Sequence, residues 1–343
     1  MAVRMKDIAQ ELGVSVVTVS KVLRNHSDIS EETRQRVLKL MKDLNYQPNY
    51  AARALVTGRT YTVGLVVPDL VHPFFAEVAK GLSSTLRKRG YSLILASSEE
   101  DSDLEAQEIG RLLARRLDAI VIASTQRTVE SFRQIEEQKT PYVLVDRRFT
   151  GLRANFVGVD DEAVGELATE HLVSVGCRKI AHIRGPQVST GIGRLEGYRR
   201  ALARHNLGPL PNYVPAATAG DEDSEARGRE AMRQLLKLDP RPDGVFCYND
   251  PTAMGAMNAI LDAGLRIPED IAVIGCGNVH YDPSLRAPLS SIDQQSAAIG
   301  ERAAKLALSL IESKGGGRPR SVILEPKLVA RASTNRAPLP KAE

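Results

Sequence analysis

The sequence predicts two folds in one chain: an all-α segment over residues 1–60 and an α/β core of two lobes over residues 61–343. In the first segment, apolar residues recur at helical spacing and are separated by short breaks. From Tyr61 onward, short β-rich runs alternate with helical stretches, a pattern typical of parallel sheets with helical crossovers. These units are too many for one compact domain, so we expect the core to form two lobes.

The beginning of the chain has the pattern of a helix-turn-helix. Ile8 and Leu12 share one helical face, and Gly13 is a natural terminator directly after it. The break Gly13-Val14-Ser15 leads into a second helix over residues 16–24. Two helices joined by a tight glycine turn are typical of a helix-turn-helix, in which residues 16–24 would be the recognition helix.

The second helix has a solvent-facing side that suits DNA better than water. Val19 and Val22 face a core, whereas Val17 and Lys21 lie one turn apart on the opposite side. A cation reaches guanine edges or phosphates, and a valine methyl group lies against a thymine methyl group in the major groove. An ordinary amphipathic helix with one stray valine is the alternative for this stretch. The residues that we expect to contact DNA here are Ser15, Val16, Val17, Thr18, Ser20, Lys21 and Asn25.

The positive charge of the chain is concentrated in the same segment. Residues 1–60 contain ten Lys and Arg against six Asp and Glu, and this excess accounts for the whole formal net charge of +4. The rest of the chain is therefore neutral on balance. A basic excess confined to one segment favours a polyanionic partner for that segment.

A third helix follows the capping residue Ser30, and its apolar stripe, with Val37 and Met41, would close a three-helix core. With the stretch that follows, residues 1–60 resemble the DNA-binding end of the lac repressor/galactose repressor family of bacterial transcription regulators. The matching blocks are Lys6-Asp7-Ile8-Ala9, Gly13-Val14-Ser15, Thr18-Val19-Ser20, Ser30-Glu31-Glu32-Thr33-Arg34 and Pro48-Asn49-Tyr50-Ala51-Ala52-Arg53-Ala54-Leu55. The resemblance implies a sequence-specific, DNA-binding transcription regulator, expected to be a repressor.

The resemblance also implies a hinge helix at about residues 49–56 that forms when two subunits meet on an operator. An isolated helix of two turns is too short to be stable in water, so its ordering would be coupled to binding. In the family, a leucine at the position of Leu55 inserts into the minor groove and kinks the DNA. A linker residue that packs on the core is the alternative for Leu55. The implied DNA contacts are Asn49, Ala52, Arg53 and Leu55.

Residues 61–343 resemble the regulatory core of the same family, which is similar to periplasmic sugar-binding proteins with two Rossmann-like lobes. The chain would cross between the lobes near residues 160–161, 290–293 and 319–321. The expected bounds are about 61–160 and 292–320 for lobe one, and about 161–290 and 321–331 for lobe two. The tail after Arg331 contains prolines and no leucine heptads, so we expect a homodimer and no tail-mediated tetramer.

A small-molecule effector would bind between the lobes, at the carboxyl ends of the strands. Arg194 matches the effector-binding arginine of the family, and a guanidinium holds two hydroxyl groups or a carboxylate. Asn249 matches a position that offers a donor and an acceptor. Each position also has a structural interpretation, since Asn249 could cap the next helix and Phe74 could belong to the core. The expected effector contacts are Phe74, Asp146, Thr190, Arg194, Asn249 and Gln294.

One position departs from the pattern of the sugar-responsive members. Many of them have an aspartate after Ile-Gly-aromatic, whereas this chain reads Ile274-Gly275-Cys276-Gly277-Asn278. Glycine has no side chain to accept a hydroxyl proton, so either Asn278 substitutes or the effector is not a typical hexose. A carbohydrate is the expected class of effector, and purines and other small metabolites stay open.

Several classes of protein are not supported by the sequence. The three cysteines form no Cys-x-x-Cys pair, and no disulfide framework, metal site or cofactor is indicated. No apolar run is long enough to span a membrane, and the amino terminus lacks an apolar signal core. We therefore expect a cytoplasmic, nucleoid-associated bacterial protein.

Enzymatic activity is not expected either. Gly191-Ile192-Gly193 lacks the third glycine of the dinucleotide fingerprint, and no phosphate loop or nucleophile elbow occurs. An enzyme built on the two lobes and a transport-type solute-binding protein are the rival interpretations, and the second would have no use for residues 1–60. We expect the effector to control operator affinity, with the direction, inducer or corepressor, left open.

Overall fold

The computed structural model describes residues 3–23, 26–46, 54, 58–126, 129–149, 151–208, 210–215, 224–313 and 317–336. By its internal contacts the chain divides into two compact units, Met1–Thr60 and Tyr61–Glu343. The predicted hinge helix at about 49–56 lies outside the described residues apart from Ala54. So do five of the predicted DNA contacts, which are Asn25, Asn49, Ala52, Arg53 and Leu55.

The described part of the first unit contains three helices, whose ends are set by local caps. They are α1 (Met5–Leu12), α2 (Val16–Leu23) and α3 (Glu31–Asp43). Gly13 follows α1 with a φ of +64°, a left-handed conformation that glycine adopts without strain. The Oγ atom of Ser15 accepts a hydrogen bond from the backbone N–H of Thr18 at 3.0 Å, which caps α2. Ser30 caps α3 in the same way, through the N–H of Thr33 at 3.3 Å.

The three helices pack around one small apolar core. Ile8 of α1, Val19 of α2 and Val37 of α3 are fully buried. Leu23, which shares a helical face with Val19 and Val22, is 36% exposed because it lies at the end of α2. The predicted helix-turn-helix with a third supporting helix is confirmed.

The second unit alternates strands and helices along the chain. Its strands are β1 (Thr62–Val67), β2 (Ser92–Ser97), β3 (Ala119–Ile122), β4 (Tyr142–Val145), β5 (Asn155–Val159), β6 (Ile180–Ile183), β7 (Gly244–Cys247), β8 (Ala272–Cys276), β9 (Ser290–Asp293), β10 (Ser321–Leu324) and β11 (Lys327–Val329). Its α-helices are α4 (Pro73–Arg87), α5 (Ser102–Ala114), α6 (Glu130–Glu137), α7 (Asp161–Ser174), α8 (Ser189–Arg204), α9 (Ser224–Leu235), α10 (Asp250–Asp262) and α11 (Ser296–Glu312). No helix of the described residues has the length and apolar character to span a membrane.

The strands form two sheets, one in each lobe. The first sheet has the order β10-β5-β4-β3-β1-β2, and the second has the order β11-β9-β8-β7-β6. All pairings are parallel except that of β11 with β9. Parallel strands end at the same edge of each sheet, so the loops after them face the cleft between the lobes. The predicted two-lobed α/β core is confirmed.

The strand pairing corrects the predicted boundary of lobe two. Residues 321–331 are predicted to belong to that lobe, but β10 pairs with β5 in the first sheet, where Val322 lies opposite Val157. The chain therefore crosses at residues 325–326, and not near 319–321. An edge strand with alternating burial fits either sheet, and only its pairing partner decides between them. Likewise β9 keeps residues 290–293 in the second sheet, so that crossing follows Asp293.

Candidate functional site

The outer side of α2 exposes the side chains that were predicted to meet DNA. Val16 and Val17 are 42% and 60% exposed, whereas Val19 and Val22 are buried on the opposite side. Exposed valines on a short helix gain nothing from water, so this surface is suited to a partner. Ser15 is also exposed, and Thr18, Ser20 and Lys21 are half-buried. DNA contact by these residues stays a prediction.

Three of these residues have local partners. The hydroxyl groups of Ser15 and Thr18 are 2.9 Å apart at the capped start of α2. Lys21 forms an ion pair with Asp28, which lies in the connection between α2 and α3. The ammonium group of Lys21 lowers the pKa of Asp28. A carboxylate therefore neutralises the main cation of this surface in the absence of DNA.

Arg194 lies deep between the helices that open the second lobe. The residue is 2% exposed, and its Nε donates to Oδ1 of Asp161 at 3.1 Å. Its Nη1 donates to the backbone carbonyl oxygen of Tyr248 at 2.7 Å, and its Cζ lies 4.5 Å from the centroid of the Tyr248 ring. Burial raises the pKa of Asp161 to about 6, and the charge of Arg194 opposes that rise. The remaining N–H groups of Arg194 are the donors left for a ligand.

Asn249 both caps a helix and joins the two lobes. Its Oδ1 accepts from the backbone N–H of Thr252 at 2.9 Å, which starts α10. Its Nδ2 lies 3.0 Å from Nε2 of His72, which precedes α4 in lobe one. Burial lowers the pKa of His72 to about 4, so this ring is neutral at physiological pH. Asn249 therefore caps α10 and also lies in the cleft between the lobes.

The remaining predicted effector residues lie on both sides of the cleft. Asp146 follows β4 with a φ of +64° and is 8% exposed, and Gln294 lies close enough to lower the pKa of its carboxyl group, which burial raises. The Oγ1 of Thr190 lies 2.7 Å from the hydroxyl oxygen of Tyr248. Phe74 is 4% exposed and packs edge-on against Phe75, with 5.1 Å between the ring centroids, so its contact with an effector stays a prediction.

Four charged or ring-bearing residues of this region were not among the predicted effector contacts. They are His72, Arg147, Asp161 and Tyr248. Arg147 donates from Nη1 and Nη2 to the carboxylate of Glu100 at 3.1 and 2.7 Å. Its buried Nε makes no hydrogen bond to any residue that the structure describes. Their position in the chain was the available sequence signal. Tyr248 directly follows β7, and Arg147 lies two residues after the end of β4.

The glycine at position 277 is required by a buried carboxylate. Its φ is +136°, and a Cβ placed there would lie 2.8 Å from Oδ2 of Asp250. The Oδ1 of Asn278 accepts from Nη2 of Arg331 at 2.6 Å, so this oxygen is already engaged. Asn278 is thus not poised to replace the aspartate of the sugar-responsive members.

We expect the Asp282→Asn variant to lose a pH dependence of stability. Asp282 is fully buried beside Asp250, and Nη1 of Arg331 is 3.8 Å from its carboxylate. Burial and then the charge of Asp250 raise the pKa of Asp282 well above its usual range. The unfolded value is about 4, so the stabilisation is complete below pH 4 and is lost as the pH rises through the raised value in the folded protein. Urea unfolding of both proteins at pH 5 and pH 9 checks this. The expectation would be contradicted if the variant lost as much unfolding free energy between pH 5 and pH 9 as the wild type does.

Comparisons with known proteins agree with both parts of this geometry. Residues 4–49 match the bacterial regulatory proteins of the lacI family, and residues 169–334 match a periplasmic binding protein-like domain. The HTH-type transcriptional repressor PurR of Mannheimia succiniciproducens is 32% identical over 334 residues, which are 97% of this chain and 98% of that protein. PurR of Haemophilus influenzae is 32% identical over 335 residues, with 96% and 98% covered.

Solved structures with the same architecture include complexes with ligands and DNA. The lac repressor dimer bound to operator and the anti-inducer ONPF has a TM-score of 0.84 at 26% identity, over 97% of this chain and 99% of that one. The complex of the transcriptional regulator CelR with cellobiose has a TM-score of 0.73 at 30% identity, over 96% and 99%. The prediction of a regulatory rather than enzymatic protein is confirmed by these relatives.

The match of residues 4–49 also removes the rival interpretation of a transport-type solute-binding protein. The same conclusion extends to the core, because the match to PurR of Mannheimia succiniciproducens, at 32% identity, covers 98% of that repressor. The chain thus belongs to the lacI family of bacterial regulatory proteins, and it is a DNA-binding transcriptional repressor with an effector-binding domain of the periplasmic-binding-protein type.

Proposed function

We propose that this repressor is a homodimer that binds a near-palindromic operator and releases or tightens its hold when a neutral carbohydrate occupies the cleft. The observation that carries the effector site is the buried guanidinium of Arg194, with two contacts made and its other N–H groups unused. The lac repressor, similar over nearly its whole length, is a dimer on its operator. The proposed location is the bacterial cytoplasm, on the nucleoid.

Hydrogen-bond capacity in the cleft favours a neutral polyhydroxy ligand over an anion. Arg194 donates its Nε to Asp161, and Arg147 donates both Nη groups to Glu100. Glu100 therefore occupies the end-on fork of Arg147, and Asp161 occupies the Nε edge of Arg194, so that fewer two-pronged sites for a carboxylate or phosphate remain. Single N–H donors beside the carboxylates of Asp146 and Asp161 suit hydroxyl groups, which both donate and accept.

A purine or another small metabolite is the alternative effector. A flat base gains affinity by stacking on an aromatic ring. The ring of Tyr248 is covered by Arg194, and Phe74 is buried against Phe75. The solved relatives include a complex with cellobiose and one with ribose. These observations support the carbohydrate over the base, and the engaged oxygen of Asn278 points to a sugar other than a typical hexose.

Contacts between the lobes give the effector a means of acting at a distance. Nδ2 of Asn249 lies 3.0 Å from Nε2 of His72, and the backbone N–H of Arg148 donates to Oγ of Ser189 at 2.9 Å. Each contact joins lobe one to lobe two. An effector hydroxyl that takes the amide of Asn249 breaks the first contact and changes how the lobes meet. Such a ligand shifts a two-state equilibrium by its differential affinity for the two arrangements.

The experiment that tests this proposal uses the purified full chain and a random duplex pool. We expect selection of a site with two half-sites about one helical turn, roughly 10 bp, apart. Its affinity is then measured with ribose, cellobiose or guanine added. A shift of about fivefold or more with a saccharide supports the proposal. A shift with guanine alone would mean that the effector is a purine and not a sugar. Failure to retain any duplex at low ionic strength contradicts DNA binding by this chain.

The proposed hinge is tested by the Leu55→Ala variant. An apolar side chain inserted between base steps is exchanged for a methyl group, so we expect operator affinity to fall by about tenfold. Effector binding, measured by thermal shift on the free protein, should not change. Asn49, Ala52 and Arg53 share the same proposed hinge. An operator affinity equal to that of the wild type would remove Leu55 from the DNA interface.

A further inference from the structure

In three helix pairs of the core, the two helices cross at one glycine of each helix. In each pair, a Cβ placed on either glycine would lie about 2 Å from a carbonyl oxygen of the other helix. The crossing glycines are Gly81 and Gly300 for α4 and α11, Gly165 and Gly197 for α7 and α8, and Gly228 and Gly255 for α9 and α10. The facing carbonyls are those of Ala297 and Val78, of Arg194 and Glu162, and of Thr252 and Glu225, in the same order. Each carbonyl belongs to the residue three positions before the opposite glycine.

Such crossings bring two backbones closer than any side chain allows. Real Cβ atoms do not approach an oxygen to 2 Å, so an alanine at these positions forces the helices apart. The close approach lets the glycine Cα–H groups face carbonyl oxygens, a weak but recurrent contact between helices. Six glycines therefore fix the spacing of three helix pairs.

The crossing of α7 with α8 differs from the other two, because it includes a residue of the effector site. The carbonyl that faces Gly165 is that of Arg194, at 2.1 Å from the added Cβ. The side chain of the same residue bonds Asp161, the first residue of α7, at 3.1 Å. A Cβ on Gly193 would lie 2.7 Å from the Cβ of Asp161. The backbone and the guanidinium of Arg194 are thus both set by the distance between these two helices.

We propose that Gly165, Gly193 and Gly197 are positioning residues of the effector site. They hold α7 and α8 close enough for Nε of Arg194 to reach Asp161, which leaves the free N–H groups aimed into the cleft. A separation larger by about 1 Å lengthens the 3.1 Å bond past the limit of a hydrogen bond. This role rests on the proposed effector site, but the geometry it predicts for Arg194 can be measured without any ligand.

The chain offers two matched controls for the Gly165→Ala variant. Gly228→Ala creates an equivalent clash, at 2.1 Å from the carbonyl oxygen of Thr252, in a crossing that contains no proposed effector contact among its facing carbonyls. Gly110→Ala lies in α5, where an added Cβ meets nothing within 4 Å. Gly228→Ala shows whether a loss of stability alone changes the position of Arg194. Gly110→Ala shows whether replacing a helical glycine by alanine has an effect without any clash.

The readout is the Nε–H resonance of Arg194 in ¹⁵N-arginine-labelled, ligand-free protein, assigned by its absence in Arg194→Lys. We expect Gly165→Ala to shift this resonance and to speed its solvent exchange by about tenfold or more, because the bond to Asp161 is lost. Gly228→Ala should lower Tm comparably and leave the resonance in place. Gly110→Ala should change neither quantity.

The proposal is overturned if Gly165→Ala keeps the wild-type resonance and exchange rate, or if Gly228→Ala changes them equally. Should Gly165→Ala fail to fold, Gly193→Ala carries the test, because its added Cβ meets a side-chain atom of Asp161 rather than a carbonyl oxygen. An unchanged resonance in that variant overturns the proposal equally. A cleft that binds no saccharide would contradict the proposed effector and leave this readout intact, so the two failures are distinguishable.

Discussion

Arg194→Met is expected to abolish the effector response and to lower the free energy of unfolding by about 3–5 kcal/mol, since it breaks a buried ion pair. Arg194 is 2% exposed, and its Nε is hydrogen-bonded to Asp161 at 3.1 Å. Methionine fills a similar volume, so most of the cost arises from leaving a carboxylate buried without its cation. Urea unfolding measures the stability, and operator affinity with and without the saccharide measures the response.

Two further variants separate binding from stability. Asp161→Leu combined with Arg194→Met removes both charges, so we expect stability to recover while the effector response stays absent. Arg200→Met removes an exposed arginine of the same helix, which pairs with Glu162 and Glu196 at the surface. It should leave stability and response nearly unchanged. A normal effector response in Arg194→Met would show that the ligand binds elsewhere.

The elements of the fold were predicted where the sequence pattern is long or is bounded by a cap. Gly13, Ser15 and Ser30 end or begin helices by local chemistry that is visible in the sequence. Strands β5, β9 and β11 give a weaker signal, since they are short and are held by pairing with distant strands. The eight-residue helix α6 gives little signal for a similar reason, as few residues show little periodicity.

The effector site was predicted in part, and its gaps have a common cause. Arg194 and Asn249 were found because a family motif surrounds each of them. His72 was not, although it lies 3.0 Å from Asn249, because 177 positions separate the two residues along the chain. Arg147 and Glu100 meet across 47 positions, again between loops that follow different strands. Contacts between loops that lie far apart along the chain, within one lobe or between two, leave no local trace in the sequence.

The recognition surface shows the same limit at shorter range. The exposure of Val17 and the burial of Val19 follow from helical periodicity alone. The ion pair of Lys21 with Asp28 does not, because it spans the connection between two helices. This carboxylate changes what is expected of Lys21, since the ammonium group must leave one partner to bind another.

Lys21→Ala is expected to weaken operator binding by about tenfold to a hundredfold, because a cation directed at a base edge contributes roughly 1–3 kcal/mol. The slope of log affinity against log salt should also fall in magnitude by about 1, because one fewer counterion is released. Titration of the selected operator at several salt concentrations measures both. The position of Lys21 beside the 60% exposed Val17 is the reason for expecting a base contact rather than a phosphate contact alone.

Lys39→Ala and Asp28→Asn complete this test. Lys39 is an exposed lysine of α3, outside the recognition helix, so its loss should change the salt slope little and leave sequence preference intact. Asp28→Asn frees Lys21 from its carboxylate, so we expect tighter binding to unrelated duplex and a smaller ratio of specific to non-specific affinity. In a Lys21→Ala background the same change should have a smaller effect. An equal effect in the wild type and in Lys21→Ala would mean that Asp28 acts by repelling phosphates. The ion pair of Lys21 with Asp28 would then have no part in controlling DNA binding.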